Sequence, residues 1–511
     1  MSISDYLDKM KSIQKNILDF FEVQENSEEY FQNLNAKIQD LKIHDDSHRL
    51  RMFLHILINI SNNHNRQQNF WEKMERLLLL FKKEMLEKFS NNELFNIFDS
   101  NKRLLLYLIE EKIITINKYI ARRISKKFGY CLYYQYFAPE IKPFLKKEKN
   151  EESYMTENFY QNRKKGENEA YICELIRADS IKEFIVYINK NSIKLDSKIK
   201  PSIFETNEFL LKNTSSLIEY AAFFGSIQIF KYLQLNQIDL TSSLWLYAIH
   251  GNNPEIIHIL EENQIQPRKN DYLPIFIESV KSYHNDLSDY FIYNYLQNYE
   301  DKIKSSLNFF EFYNFTFIEN EMINNSSLYS LCKYDYYEFL NLLLKNSKIN
   351  INQKIEGNSL LYIACINDNL DIVQSLLNHD EIDVNKGFHF HECKKCEYRQ
   401  INNQELAKSP LQAAVNNDNI EIVKILIENK KIDVNALDIY IDSKYPNENY
   451  DDDQDEEEEK ENKKDEEDEN YEVNEHDLIQ MLDLLDDDFP FNDDGGWPDE
   501  KYFPSGVLGS D

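Results

Sequence analysis

The sequence predicts an all-α chain built from stacked helix pairs, and three observations predict it. Glycine and proline are scarce, at 10 and 11 of 511 residues, so few helix breakers interrupt the chain. Apolar residues recur at helical spacing through most of the chain before residue 440. One block is also repeated. Ser359 to Asn385 (SLLYIACINDNLDIVQSLLNHDEIDVN) aligns without gaps over 27 positions with Ser409 to Asn435 (SPLQAAVNNDNIEIVKILIENKKIDVN).

In chain order, residues 1–143 form an N-terminal helical region. Leu50, Phe53, Leu54, Leu57 and Ile58 share one helical face, and Met74, Leu77, Leu78, Phe81 and Met85 share another. Asn92, Asn101 and Thr115 stand where further helices start, as polar side chains able to cap exposed amides. The basic stretch Arg122-Arg123-Ile124-Ser125-Lys126-Lys127 reads as a solvated helix face; the sharper reading is a contact with an acidic partner or with the chain's own tail. Residues 144–169 read as a linker, because Phe144 to Gly166 is charged and poorly periodic.

Residues 170–440 hold the repeats, clearest at 326–355, 357–386 and 407–439. The two best copies share Leu361 or Leu411, Ala364 or Ala414, Asp368 or Asp418, and the pairs Ile372-Val373 or Ile422-Val423. Weaker copies lie at Ser326 to Asn352, Ser216 to Leu233 and Ser243 to Leu260, with a degenerate one at Leu273 to Tyr295 and a first half-repeat at Tyr171 to Ile188. Leu361, Ala364 and Cys365 are spaced for one helix, and Ile372, Val373, Leu376 and Leu377 for the next. Helices of about ten residues are too short to stand alone in water, so the copies must stack to share one core. Small residues such as Ala364 allow close approach, and Asp368, Asp418 and Gly225 stand where the first helix must stop in a left-handed turn.

Ser409-Pro410-Leu411-Gln412-Ala413-Ala414, Glu421-Ile422-Val423 and Asp433-Val434-Asn435-Ala436 resemble the ankyrin repeat, whose period is about 33 residues. As a whole, 170–440 is similar to an ankyrin-type domain of unknown function in a lineage-expanded protozoan family, on Ser226-Ile227-Gln228-Ile229-Phe230 and Ala248-Ile249-His250-Gly251-Asn252-Asn253-Pro254-Glu255. The resemblance covers about half the chain. It implies an ankyrin solenoid that binds without catalysis, a protein-protein interaction scaffold with contacts near Gln353, Lys354, Asn358, Asn367, Asn416 and Asn417. The partner is expected to be another protein and the chain a monomer. The alternative is an adaptor for ubiquitin ligation or signalling, with 1–143 docking a second partner.

Ala364 and Ala414 are 50 residues apart, so an insertion separates the last two repeats, at 386–408. It carries His389, His391, Cys393 and Cys396, which are the ligand types of a tetrahedral structural zinc site; the plainer reading is a polar loop with reduced thiols. No other cofactor is expected. Nucleophile-elbow, phosphate-loop, dinucleotide and HExxH motifs are absent, so the sequence reads as non-enzymatic.

Residues 447–511 read as a disordered acidic tail, since Asp451 to Glu469 has little apolar surface to bury. Within the tail, His476 to Leu485 has apolar residues at helical spacing and is able to fold onto a partner. From 451 to 511 the chain has 26 acidic and 4 basic residues, so -22 of the net charge of -31 lies there. The body is mildly acidic as well, which disfavours nucleic acid. Six cysteines in so long a chain do not make a disulfide scaffold, and no apolar run approaches a membrane span. The N-terminus shows no secretory signal. These features lead to the expectation of an intracellular protein, cytoplasmic rather than nuclear, without a membrane partner.

Overall fold

Polar caps open many of these helices. In the computed structural model, Ser2 accepts from the Asp5 amide at 3.0 Å while the Asp5 carboxylate accepts from the Ser2 amide, and this box starts α1 (Ile3–Glu22). The structure describes residues 2–23, 27–64, 69–126, 131–144, 155–299, 308–346, 349–355, 357–387, 409–417 and 419–434. Two units are distinguished, Met1–Lys431 and Ile432–Asp511; only 432–434 of the second are described, so the tail lies outside the described residues.

Eight more helices complete the N-terminal region: α2 (Ser27–Asp40), α3 (Ser47–Asn63), α4 (Phe70–Leu80), α5 (Lys82–Lys88), α6 (Asn91–Phe98), α7 (Lys102–Glu110), α8 (Lys118–Lys126) and α9 (Cys131–Ile141). The apolar faces read from the sequence are buried, among them Phe53, Leu57, Met74, Leu78 and Phe81. Asn101 caps α7 as expected. Two expected starts move. Ser90, rather than Asn92, caps α6 in a box with Glu93. Asn117, rather than Thr115, accepts from the Ile120 amide at the start of α8. The span read as a linker contains α10 (Glu157–Lys165). Its Arg163 is buried and grips both carboxylate oxygens of Glu140, at 2.7 and 2.9 Å, while Phe159 packs on Phe204. A charged segment is thus held by one buried bidentate pair.

The repeats are antiparallel helix pairs: α11 and α12 (Tyr171–Arg177, Ile181–Lys190), α14 and α15 (Leu217–Phe223, Ile227–Leu235), α16 and α17 (Leu244–Gly251, Pro254–Glu262), and α18 and α19 (Leu273–Lys281, Asn285–Tyr295). After α20 (Asn308–Phe312) come α21 and α22 (Leu328–Lys333, Tyr337–Asn346), α23 and α24 (Leu360–Ile366, Leu370–Leu377), and α25 and α26 (Pro410–Asn416, Ile420–Ile427). The half-repeat at Tyr171 is therefore a full pair. The irregular period has a physical cause, since extra segments lie between pairs. One holds α13 (Glu208–Lys212), whose Phe209 packs on Phe223, Tyr247 and His250 of the neighbouring first helices. Another holds α20, which sits between α18 and α21.

Each of the first six pairs turns through one residue of positive φ: Asp179, Gly225, Asn252, Tyr283, Asp335 and Asp368. The residue beyond the turn commonly reaches back to the preceding pair. Ser226 donates to the Ile176 carbonyl at 2.5 Å, Asn253 to Gly225 at 2.9 Å, Asn369 to Cys332 at 2.6 Å, and Asn419 to the Asp368 carboxylate at 3.1 Å. Between α16 and α14 the backbones nearly touch: a Cβ on Gly251 would lie 2.1 Å from the Ala222 carbonyl oxygen. Among the described residues no helix is long and apolar enough to cross a membrane.

Candidate protein-interaction surface

An antiparallel helix pair has two ends. The turn within each pair lies at one, and the loops joining successive pairs lie at the other. At the loop end, Lys354–Ile355 pairs antiparallel with Asn358–Ser359, turning at Gly357 with φ 81°. Adjacent loops are tied by the asparagines that close each repeat. Asn352 donates to the Glu381 carbonyl at 2.6 Å and accepts from the Asp383 amide at 2.8 Å; Asn385 donates to the Lys431 carbonyl at 2.9 Å. Asn352 leads directly into the hairpin, where Gln353, Lys354 and Asn358 lie together, half-exposed. The Gln353 Nε2 atom itself is buried and has no hydrogen-bond partner among the described residues.

The other three residues expected to contact a partner lie at the turn end. Asn416 is exposed. Asn367 donates to the Ile363 carbonyl of its own helix at 2.8 Å. Asn417 donates to the Ile366 carbonyl at 2.9 Å and to Asp368 at 3.3 Å, and its carbonyl accepts from Arg123 at 3.4 Å. Asn417 is thus an internal tie between the last two pairs. The expected six residues form two groups rather than one surface. The four zinc candidates, His389, His391, Cys393 and Cys396, lie outside the described residues, as does Asp418.

The turn end is occupied by the N-terminal helices of the same chain. Arg51 of α3, only 7% exposed at its side chain, lies 2.6 Å from Glu93, 2.9 Å from Asp371 and 3.5 Å from Asp335. Asp335 is itself a turn residue of positive φ, so one side chain both ends α21 and meets the guanidinium. His48 bonds Asp371 at 2.9 Å and stacks on Tyr337 with ring centroids 3.5 Å apart. Burial alone would lower the His48 pKa, but Asp371 outweighs it and the pKa is raised. For Asp371, burial is outweighed by His48 and Arg51, and its pKa is lowered. Elsewhere along this contact, Tyr6 packs on Phe339, Gln14 donates to Asn314 at 2.7 Å, and Arg123 pairs with Asp368 at 3.5 Å. The basic stretch around Arg123 therefore meets a repeat turn.

A second polar cluster is deeply buried. His64 of α3 bonds the Ser282 carbonyl at 2.9 Å, and its ring lies 5.1 Å from that of His284. Both imidazoles are buried, and among the described residues neither His284 ring nitrogen has a hydrogen-bond partner. Burial, reinforced by the neighbouring histidines, lowers the pKa of both, furthest for His284.

An array of stacked antiparallel helix pairs defines a helical-repeat protein, a class that binds through extended surfaces. Residues 328–438 match the family model of ankyrin repeats, in three copies. Ankyrin repeats are generally protein-protein interaction modules and are typically non-enzymatic. No curated protein matches the chain. The matched span covers the last three pairs, which carry the hairpin.

Two measurements check the turn-end contact. Removing one partner of a buried ionic cluster leaves the others uncompensated, so Arg51→Met is expected to destabilise the protein by about 3–5 kcal/mol in denaturant titration. A cost below about 1 kcal/mol, typical of an exposed pair, would contradict the burial. The histidines give a pH test. His64 and His284 are held neutral in the fold, so their contribution is complete above the unfolded value of about 6.5 and is lost as pH falls below it. His48, with a raised pKa, acts in the opposite sense: its contribution is complete below that value and is lost as pH rises through the folded pKa. From about pH 7 to about 5.5, the fall in Tm should be shallower in His284→Phe than in the parent and steeper in His48→Gln. Parallel slopes in all three would refute the assignment.

Proposed function

We propose that this chain is a non-catalytic scaffold that binds a protein partner through the loop end of its ankyrin repeats. The observation that carries the reading is the division of labour between the two ends of the helix pairs. The turn end is engaged by the N-terminal helices through Arg51 and Arg123, whereas the hairpin bearing Gln353, Lys354 and Asn358 keeps these side chains half-exposed on a braced backbone. A rigid polar surface binds without the ordering cost that a loose loop would add. In support of a second partner docked by residues 1–143, as in an adaptor for ubiquitin ligation or signalling, Leu79 and Leu86 are 43% and 52% exposed.

Cross-linking capture with the full chain, followed by mass spectrometry, tests the first reading. Lys354→Glu combined with Asn358→Arg should reduce recovery of the specific partner by about tenfold, the scale of one lost hot spot. Unchanged recovery would place the contact elsewhere. Zinc at His389, His391, Cys393 and Cys396 is supported by ligand type and spacing. One equivalent per chain under reducing conditions, lost in Cys393→Ser, is the expected result, and no zinc in the parent would remove the site.

A further inference from the structure

We propose that the groove between α4 and the turns of the first three helix pairs receives an Arg- or Lys-bearing peptide segment. The groove has a volume of about 890 Å³, with Trp71 and Glu72 from α4 on one side and the turns at Ala178, Gly225 and Asn252 on the other. Exposed Glu174 and Glu169 join Glu72 on its rim, and none of the three has an ion-pair partner among the described residues. Arg177 is spent on Glu167 at 2.9 Å, which leaves Lys165 as the opposing charge.

The argument for a cationic occupant comes from the rest of the same edge. There, turn carboxylates are met by guanidinium groups of the N-terminal helices, Arg51 on Asp335 and Asp371, and Arg123 on Asp368. The groove continues that interface with repeat turns on one wall and an N-terminal helix on the other, but its carboxylates come from Glu169, Glu174 of α11 and Glu72 of α4, which stands where α3 brings Arg51. Its aromatic rings suit the same chemistry. Trp71 already carries Arg103 at 5.5 Å from its centroid, and Phe224 carries Arg177 at 6.0 Å. Three turns at helix-packing distance span roughly 20 Å, the length of about six extended residues. A peptide therefore fits the groove better than a single small cation. This surface lies at the turn end and is independent of the hairpin reading above.

The test uses the full chain and a dye-labelled nine-residue peptide with Arg at alternate positions, followed by fluorescence anisotropy at low salt. Its Glu counterpart is the control probe. Glu72→Lys with Glu174→Lys should weaken the Arg peptide by at least about tenfold. Lys165→Glu should tighten it. Asp239→Lys with Glu262→Lys, an equal charge change at exposed positions outside the groove, should move affinity less than about twofold. The proposal is overturned if the parent does not bind the Arg peptide, if the groove pair leaves affinity unchanged, or if both pairs weaken it equally; in the last two cases binding belongs to the general acidity of the chain. Should the groove pair fail to fold by circular dichroism, the single Lys165→Glu change decides.

Discussion

A helix of seven to ten residues cannot hold itself together in water, and nearly every helix of these repeats is that short. All that follows depends on neighbours. First helices pack on one another along the array, with α20 interposed between α18 and α21, so Leu217, Ala221, Leu244, Ala248, Leu361 and Ala364 are buried to the last few per cent. Apolar stacking alone would leave the ends of the helices with unmet carbonyls. Ser226, Asn253, Asn369 and Asn419, just past their turns, reach back to the preceding pair, and Asn352 and Asn385 tie their loops to the next one at the loop end. The asparagines scattered through the sequence are thus part of the fold's hydrogen-bonding frame.

The N-terminal helices add a second constraint. Arg51 and its three carboxylates are too deeply placed to gain much from Coulomb attraction net of desolvation. Their value lies in position: no other alignment of α3 along the turns puts a guanidinium beside Glu93, Asp335 and Asp371 together. The neutral His64 at the end of α3 acts in the same direction, because it finds its acceptor at Ser282 only in that alignment. With the turn end engaged in this way, the loop end and the groove beside α4 become the surfaces on which the proposed binding rests.

Much of this was legible in the residues. Helical spacing located the buried faces of α3 and α4, and the repeated block located the last two pairs residue by residue. Even the degenerate copy at Leu273 to Tyr295 matches α18 and α19 at both ends. Local competition between caps was harder to read. Ser90 wins over Asn92 because Glu93 stands three residues on and closes a reciprocal box, a signal present in the sequence and missed. The segment around α10 reads as a linker because its anchor, the Arg163–Glu140 pair, joins residues 23 apart. Asn417, near which the resemblance implies a partner contact, bonds the previous repeat and Arg123.

What the sequence determined by itself was everything set by nearest neighbours along the chain: an all-α fold, helix pairs, their turns, and the ankyrin character of the last three. These depend on periodicities and turn residues acting within a few positions. Only the tertiary structure decided which end of the array is occupied, because Arg51 meets Asp371 across some 320 residues and no local pattern encodes that pairing. The same distance separates the candidate contacts into a hairpin group and a turn group, and it brings α4 alongside the first three turns.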